Sequence, residues 1–318
     1  MLSWLQLVFG LVVLYLGAQA LVSGGARLAL RLGLTPLVIG LTVIAYGTSS
    51  PEMVVSLQAS LAGNASISIG NLVGSNICNV ALIIGLCAVI RPVGVSAPII
   101  RREIPIMIAV SLLTVGFLFD GTLARWEGAL LLLGCVLYTV TALRGGHAST
   151  ATATEAEFSA ELPARAAVPG WLQPAGLTLL GLVLLVAGSH FFVLGAVDIA
   201  TSWGVRQIVV GLTIVAIGTS LPELATSLVA ALRGHSDVAV GNVVGSNVFN
   251  LLGILGLCAV VKPLDTSGLG WVDLIVMLGV AVALLPLAKS GGRISRLEGT
   301  ALLLVYAGYT TWLITQAT

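Results

Sequence analysis

Two glutamates stand inside apolar runs long enough to cross a membrane. Glu52 closes Gly47-Thr48-Ser49-Ser50-Pro51-Glu52, and the pattern returns 171 residues later as Gly218-Thr219-Ser220-Leu221-Pro222-Glu223. A charged side chain at bilayer depth costs about 3 kcal/mol even on lenient insertion scales, so something must offset it. A second polar set follows each glutamate. It reads Gly70-Asn71-Leu72-Val73-Gly74-Ser75-Asn76 with Asn79 in one half, and Gly241 through Gly245 with Ser246, Asn247 and Asn250 in the other. Residues three and four apart share a helix face. That groups Thr48 and Ser49 with Glu52, Thr219 and Ser220 with Glu223, and Ser75 with Asn79. Carboxylates, amides, hydroxyls and carbonyls are hard oxygen donors suited to Na⁺, Ca²⁺ or Mg²⁺. With no His or Cys facing the set, Zn²⁺, Cu⁺ and Ni²⁺ are disfavoured.

The elements that must carry these groups follow from the same residues. Pro51 has no N–H for the Gly47 carbonyl, and its ring pushes that carbonyl aside. Gly47 weakens the helix further. A break is expected there, and freed carbonyls at that depth must be buried in protein or line a wet cavity. Apolar spans of roughly 20 residues fall near 3–23, 36–62, 66–90, 103–120 and 124–143, then near 171–195, 206–232, 237–261, 270–288 and 297–315. About half of positions 40–79 are identical to their partners at 211–250, without a gap, with Thr42 on Thr213 and Ala45 on Ala216. An odd number of spans per copy turns the second copy upside down. The expected fold is an all-α polytopic membrane protein: ten transmembrane helices in two inverted five-helix repeats, with broken helices meeting at the midplane. Residues 1–143 form the first repeat, 144–170 a cytoplasmic linker and 171–318 the second repeat. Inversion brings two carboxylates, two amides and several hydroxyls to one centre, with a formal charge of −2 if both glutamates are ionised. The Gly-x-x-x-Gly pairs predict close helix approach. The Gly-rich spans 3–23 and 171–195 are candidates for sliding elements.

Composition excludes several classes. The 318 residues are 58% hydrophobic and 8% charged, against roughly 25% charged in soluble domains. A net charge of +1 offers no basic field for nucleic acid. There is no Walker A pattern for a nucleotide. No serine has a His or Asp partner and there is no HExxH, so an enzyme is not expected. Cys78, Cys87, Cys135 and Cys258 are scattered and read as packing residues, and so does His190. The first apolar run aligns with the second repeat, so it is not read as a signal peptide. Of the 14 Lys and Arg residues, all but Arg125, Arg206 and Lys262 collect on one side. That side should be cytoplasmic, leaving both termini outside.

At these residues the chain resembles the calcium/cation antiporter superfamily, in its sodium/calcium exchanger branch. The doubled Gly-Thr-Ser-x-Pro-Glu and Gly-Asn-x-Val-Gly-Ser-Asn-x-x-Asn motifs carry the resemblance, which covers almost the whole chain. It implies an antiporter of the cell (inner) membrane, exchanging Na⁺ for Ca²⁺ by alternating access without a cofactor. It implies Ca²⁺ at Glu52 and Glu223 with Thr48 and Thr219. Na⁺ would use Ser49, Ser220, Ser75, Ser246 and the carbonyls of Ala45 and Ala216, and Asn79 and Asn250 would complete the centre. Relatives that carry Asp at the place of Asn250 include potassium-dependent exchangers, so the amide weakens a case for K⁺. An H⁺/Ca²⁺ antiporter of the same fold is the alternative. A cation channel would need a symmetric oligomeric pore, whereas this chain supplies its own two-fold.

Overall fold

The computed structural model describes residues 2–146, 170–203, 216–266 and 269–316. Most of the expected linker, and residues 206–215 of the span expected at 206–232, lie outside the described residues. The first half of the chain forms α1 (Leu2–Leu32), α2 (Pro36–Thr48), α3 (Ser50–Leu61), α4 (Ala65–Ile90), α5 (Ile104–Phe117) and α6 (Arg125–Gly146). The second forms α7 (Leu172–Ser202), α8 (Ala216–Thr219), α9 (Leu221–Leu232), α10 (Ser236–Val261), α11 (Trp271–Lys289) and α12 (Arg296–Gln316). Six of these are long and apolar enough to cross a membrane alone, and the bent pair α2/α3 makes a seventh. The shorter α5, the pair α8/α9 and the less apolar α12 complete ten spans. α5 continues directly from a π-helical turn at Ile99–Glu103, which carries Arg101, Arg102 and Glu103.

The inversion is visible in two small sheets. β1 (Val93–Gly94) pairs antiparallel with β4 (Arg293–Ile294), and β2 (Thr122–Leu123) with β3 (Leu264–Asp265). Advancing β1 and β2 by the repeat offset lands on β3 and β4, so each pairing is the two-fold image of the other. One span separates β1 from β2, so the pairings tie the halves together at opposite ends of the bundle. At the β1/β4 end, the Arg91 guanidinium donates to the Leu232 carbonyl at 2.8 Å, and Arg233 to Ser23 Oγ at 2.8 Å.

Two helices run through the centre. The apolar stretches of α4 and α10 are 72% and 83% buried, against 28–39% for α1, α6, α7 and α11. Both widen into π-helical turns, at Cys78–Ile84 and at Asn250–Ile254, and α2 does so at Gly40–Ile44. Such turns shift side chains off the regular helical stripe and are frequent at functional sites. Two of them hold Asn79 and Asn250. The Gly-x-x-x-Gly reading holds for α10. A Cβ on Gly245 would lie 2.6 Å from the Leu41 carbonyl, and one on Gly241 3.2 Å from that of Leu37. The counterpart surface for Gly70 and Gly74 falls at 208–215, outside the described residues.

α1 and α7 pack antiparallel through glycines seven residues apart. A Cβ on Gly10 would lie 2.8 Å from the Gly188 carbonyl, one on Gly17 2.8 Å from Leu185 N, and one on Gly181 2.5 Å from Leu21 N. Backbones this close gain dispersion contacts that lipid cannot match. All four cysteines are buried free thiols, as expected of packing residues.

Candidate ion-binding site

The break expected before each glutamate falls at a serine. Ser49 has φ −79° and ψ 8°, Ser220 has φ −86° and ψ 6°, and α2 and α3 meet at a 47° bend. Pro51 and Pro222 sit in the first turns of α3 and α9, where a missing N–H costs nothing. Glu52 and Glu223 occupy the same turns, at the electropositive ends of their helices. The two halves treat the loosened carbonyls differently. Ser189 Oγ of α7 donates to the Gly218 carbonyl, but its repeat counterpart is Ala18, which has no hydroxyl. On the first side Ser50 Oγ donates to the Tyr46 carbonyl at 3.3 Å. The Ala45 carbonyl accepts from Thr48 Oγ1 at 3.2 Å and Ser246 Oγ at 3.4 Å.

Helical spacing assigned each serine to the glutamate of its own motif. The structure exchanges them: Ser49 Oγ donates to Glu223 Oε1 at 2.8 Å, and Ser220 Oγ to Glu52 Oε1 at 3.1 Å. The reason is the bend. Shared-face spacing holds only along an unbroken helix, and a serine at the corner turns toward the other repeat. The threonines cross as well, Thr48 Oγ1 to Asn242 Oδ1 at 3.2 Å and Thr219 Oγ1 to Asn71 Oδ1 at 3.5 Å. On the two-fold itself, Asn76 and Asn247 each donate to the other's backbone carbonyl at 3.3 Å. Asn79 Nδ2 reaches Asn247 Oδ1 at 2.9 Å, and Asn250 Nδ2 reaches Asn76 Oδ1 at 3.0 Å. The two glutamates are each 1% exposed and close enough for their charges to interact.

Several buried oxygens here have no hydrogen-bond partner among the described residues: Glu52 Oε2, Glu223 Oε2, Asn79 Oδ1, Asn250 Oδ1 and Ser75 Oγ. Four of the five are pure acceptors. No three His, Cys, Asp or Glu side chains gather among the described residues, so any further ligands to a cation must be amides, hydroxyls or carbonyls. Of the expected residues, Thr48, Ser49, Thr219, Ser220, Asn79, Ser246 and Asn250 each hydrogen-bond to a residue of the other repeat. Ala216 begins α8, and its side chain lies outside the described residues. Asn71, Asn76, Asn242 and Asn247 belong to the doubled motif but were not expected as site residues, and neither were Ser56 and Ser227, which accept from Asn71 and Asn242. The four asparagines recur at the repeat offset, which was the available signal.

Comparison with known proteins agrees with this architecture. The family model described as "Sodium/calcium exchanger protein" matches residues 2–144 and 174–315. The putative antiporter CaxA of Alkalimonas amylolytica is 43% identical over 306 residues, covering 94% of this chain and 95% of the relative. The sodium/calcium exchanger MaX1 of Methanosarcina acetivorans is 30% identical over 340 residues, covering 96% and 97%. A solved structure of the sodium-calcium exchanger NCX_Mj superposes with a TM-score of 0.83 at 32% identity, covering 96% and 97% of the two chains. With the two-fold, the broken helices and the buried oxygen cluster in place, these matches make the chain a membrane cation antiporter of the sodium/calcium exchanger family.

Proposed function

We propose that this antiporter exchanges Na⁺ for Ca²⁺ at the centre between the two repeats. Glu52 and Glu223 hold Ca²⁺ with Thr48 and Thr219. Ser49, Ser220, Ser75, Ser246 and the Ala45 and Ala216 carbonyls serve Na⁺, and Asn79 and Asn250 complete the central position. The observation that carries this reading is the set of buried acceptors with no donor. Two carboxylate oxygens and two amide oxygens without partners would be costly in a protein core, and a bound cation offsets that cost. A −2 centre without an ion is too costly to carry through low dielectric, so exchange is obligatory. The relatives' names support Na⁺ and Ca²⁺ as substrates. The 36% identical inner membrane protein YrbG of Escherichia coli supports an inner-membrane location. Residues 144–170 then form a cytoplasmic linker, with both termini outside.

The coupling ion is tested by ⁴⁵Ca²⁺ flux into proteoliposomes at fixed pH and varied Na⁺. Flux should rise steeply with Na⁺, and flux that ignores Na⁺ but follows an imposed pH gradient would replace this reading with H⁺/Ca²⁺ exchange. Ser220→Ala sharpens the test. It removes one Na⁺ oxygen and the bond to Glu52 Oε1, so half-activation by Na⁺ should move up about fivefold, as for loss of ~1 kcal/mol, with a smaller change in Ca²⁺ affinity. An unmoved Na⁺ curve would remove Ser220 from the site. Asn250→Asp adds a third carboxyl beside the unpartnered oxygens. Crowded carboxylates exchange protons with solvent, so transport should become more pH-dependent or newly K⁺-sensitive. An unchanged pH profile with no K⁺ effect would place residue 250 outside the site.

A further inference from the structure

We infer that Asn71 and Asn242 are positioning residues that turn the hydroxyl hydrogens of Thr219 and Thr48 away from the ion. This rests on the threonines being ligands, as proposed above. Hydrogen-bond polarity sets the direction of each amide. Ser227 Oγ reaches the Ala239 carbonyl at 3.4 Å, and Ser56 Oγ the Ser68 carbonyl at 3.3 Å. A backbone carbonyl only accepts, so each serine hydrogen is committed there and its oxygen must accept. What it accepts is the side-chain amide: Asn242 Nδ2 donates to Ser227 Oγ at 3.0 Å, and Asn71 Nδ2 to Ser56 Oγ at 2.9 Å. The second hydrogen of each amide goes to the carbonyl of the glutamate itself, Asn242 to Glu223 and Asn71 to Glu52, both at 3.4 Å. Flipping either amide would set oxygen against that carbonyl, so the orientation is determined.

Each amide oxygen is thereby presented to the threonine of the opposite repeat, at 3.2 Å for Thr48 and 3.5 Å for Thr219. It can only accept. Thr48 Oγ1 also reaches the Ala45 carbonyl at 3.2 Å, a second acceptor on the protein. The threonine hydrogen is drawn to acceptors on the protein, leaving oxygen lone pairs for a cation.

The test is equilibrium ⁴⁵Ca²⁺ binding to the full chain in nanodiscs, with no Na⁺ present, for wild type, Thr48→Val, Asn242→Leu and the double variant. If Asn242 acts through Thr48, each single change weakens Ca²⁺ binding about tenfold, and the double is no more than about twofold weaker than Thr48→Val alone. Effects that multiply to about a hundredfold, or wild-type binding by Asn242→Leu beside a weakened Thr48→Val, overturn the inference alone. Wild-type binding by Thr48→Val overturns the ligand assignment and this inference with it. Ser227→Ala keeps the amide but removes its anchor, and it serves if Asn242→Leu does not fold. It should weaken binding about threefold with Thr48 in place and have no effect in Thr48→Val. An equal effect in both backgrounds overturns the inference.

Discussion

Glu52→Gln and Glu223→Gln should each reduce Ca²⁺ flux at least about a hundredfold while leaving the chain folded. Two terms act together. The first is charge: the centre falls from −2 to −1 against a divalent ion, and removing one charge of a buried, paired set costs roughly 3–5 kcal/mol. The second is polarity. The Oε2 atoms of Glu52 and Glu223 have no donor among the described residues, and a glutamine places N–H groups where Oε2 stood. The new hydrogens bring donors into a centre whose buried acceptors lack them, in part doing what a cation would do. That is the reason to expect normal folding without transport. The bond from Ser220 to Glu52 Oε1, or from Ser49 to Glu223 Oε1, survives if the remaining carbonyl oxygen takes that place. The measurement is ⁴⁵Ca²⁺ uptake into proteoliposomes, paired with size-exclusion elution and thermal unfolding of the same preparations. Flux near wild type in either variant would end the assignment of these carboxylates to the site.

Gly181→Leu should be the most damaging change away from the oxygens. A side chain there meets Leu21 N at 2.5 Å, Leu21 Cα at 2.8 Å and the Gly17 carbonyl at 2.9 Å. These are backbone atoms of α1, which no rotamer change can move. The helices must separate, and overpacking of this kind costs about 1–3 kcal/mol. The midpoint of thermal unfolding in detergent should fall by roughly 5 °C. If α1 and α7 move as a pair against the remaining helices, flux should fall about tenfold as well, since a wedge between them spoils the common surface. Gly176→Leu on the same helix is the control. A Cβ there meets nothing within 4 Å among the described residues, so stability and flux should stay near wild type. Equal effects at 176 and 181 would show that the close approach is not what matters.

How much of this was legible beforehand depends on the distance over which a sequence rule holds. A repeat at constant offset, with an odd number of spans in each copy, determines an inverted two-fold whatever the side chains do. Composition places both copies in a bilayer, and the paired glutamates with their hydroxyls and amides already imply hard-oxygen chemistry at the centre. Pro51 and Pro222 mark the helix breaks because proline acts on its own backbone. Contacts across the two-fold are another matter. Helical spacing put Ser49 with Glu52, and the structure put it with Glu223, because the chain turns at that serine and periodicity does not survive a 47° corner. The direction of the Asn71 and Asn242 amides depends on carbonyls at Ser68, Ala239, Glu52 and Glu223. Only packed helices bring those groups within reach. The π-helical turns at Cys78 and Asn250, and the glycine register of α1 against α7, likewise arise between helices. A rule about neighbours three and four apart carries no information about a partner from the other half of the chain. The identity of the polar atoms was therefore local knowledge, and which atom faces which was decided by the tertiary fold.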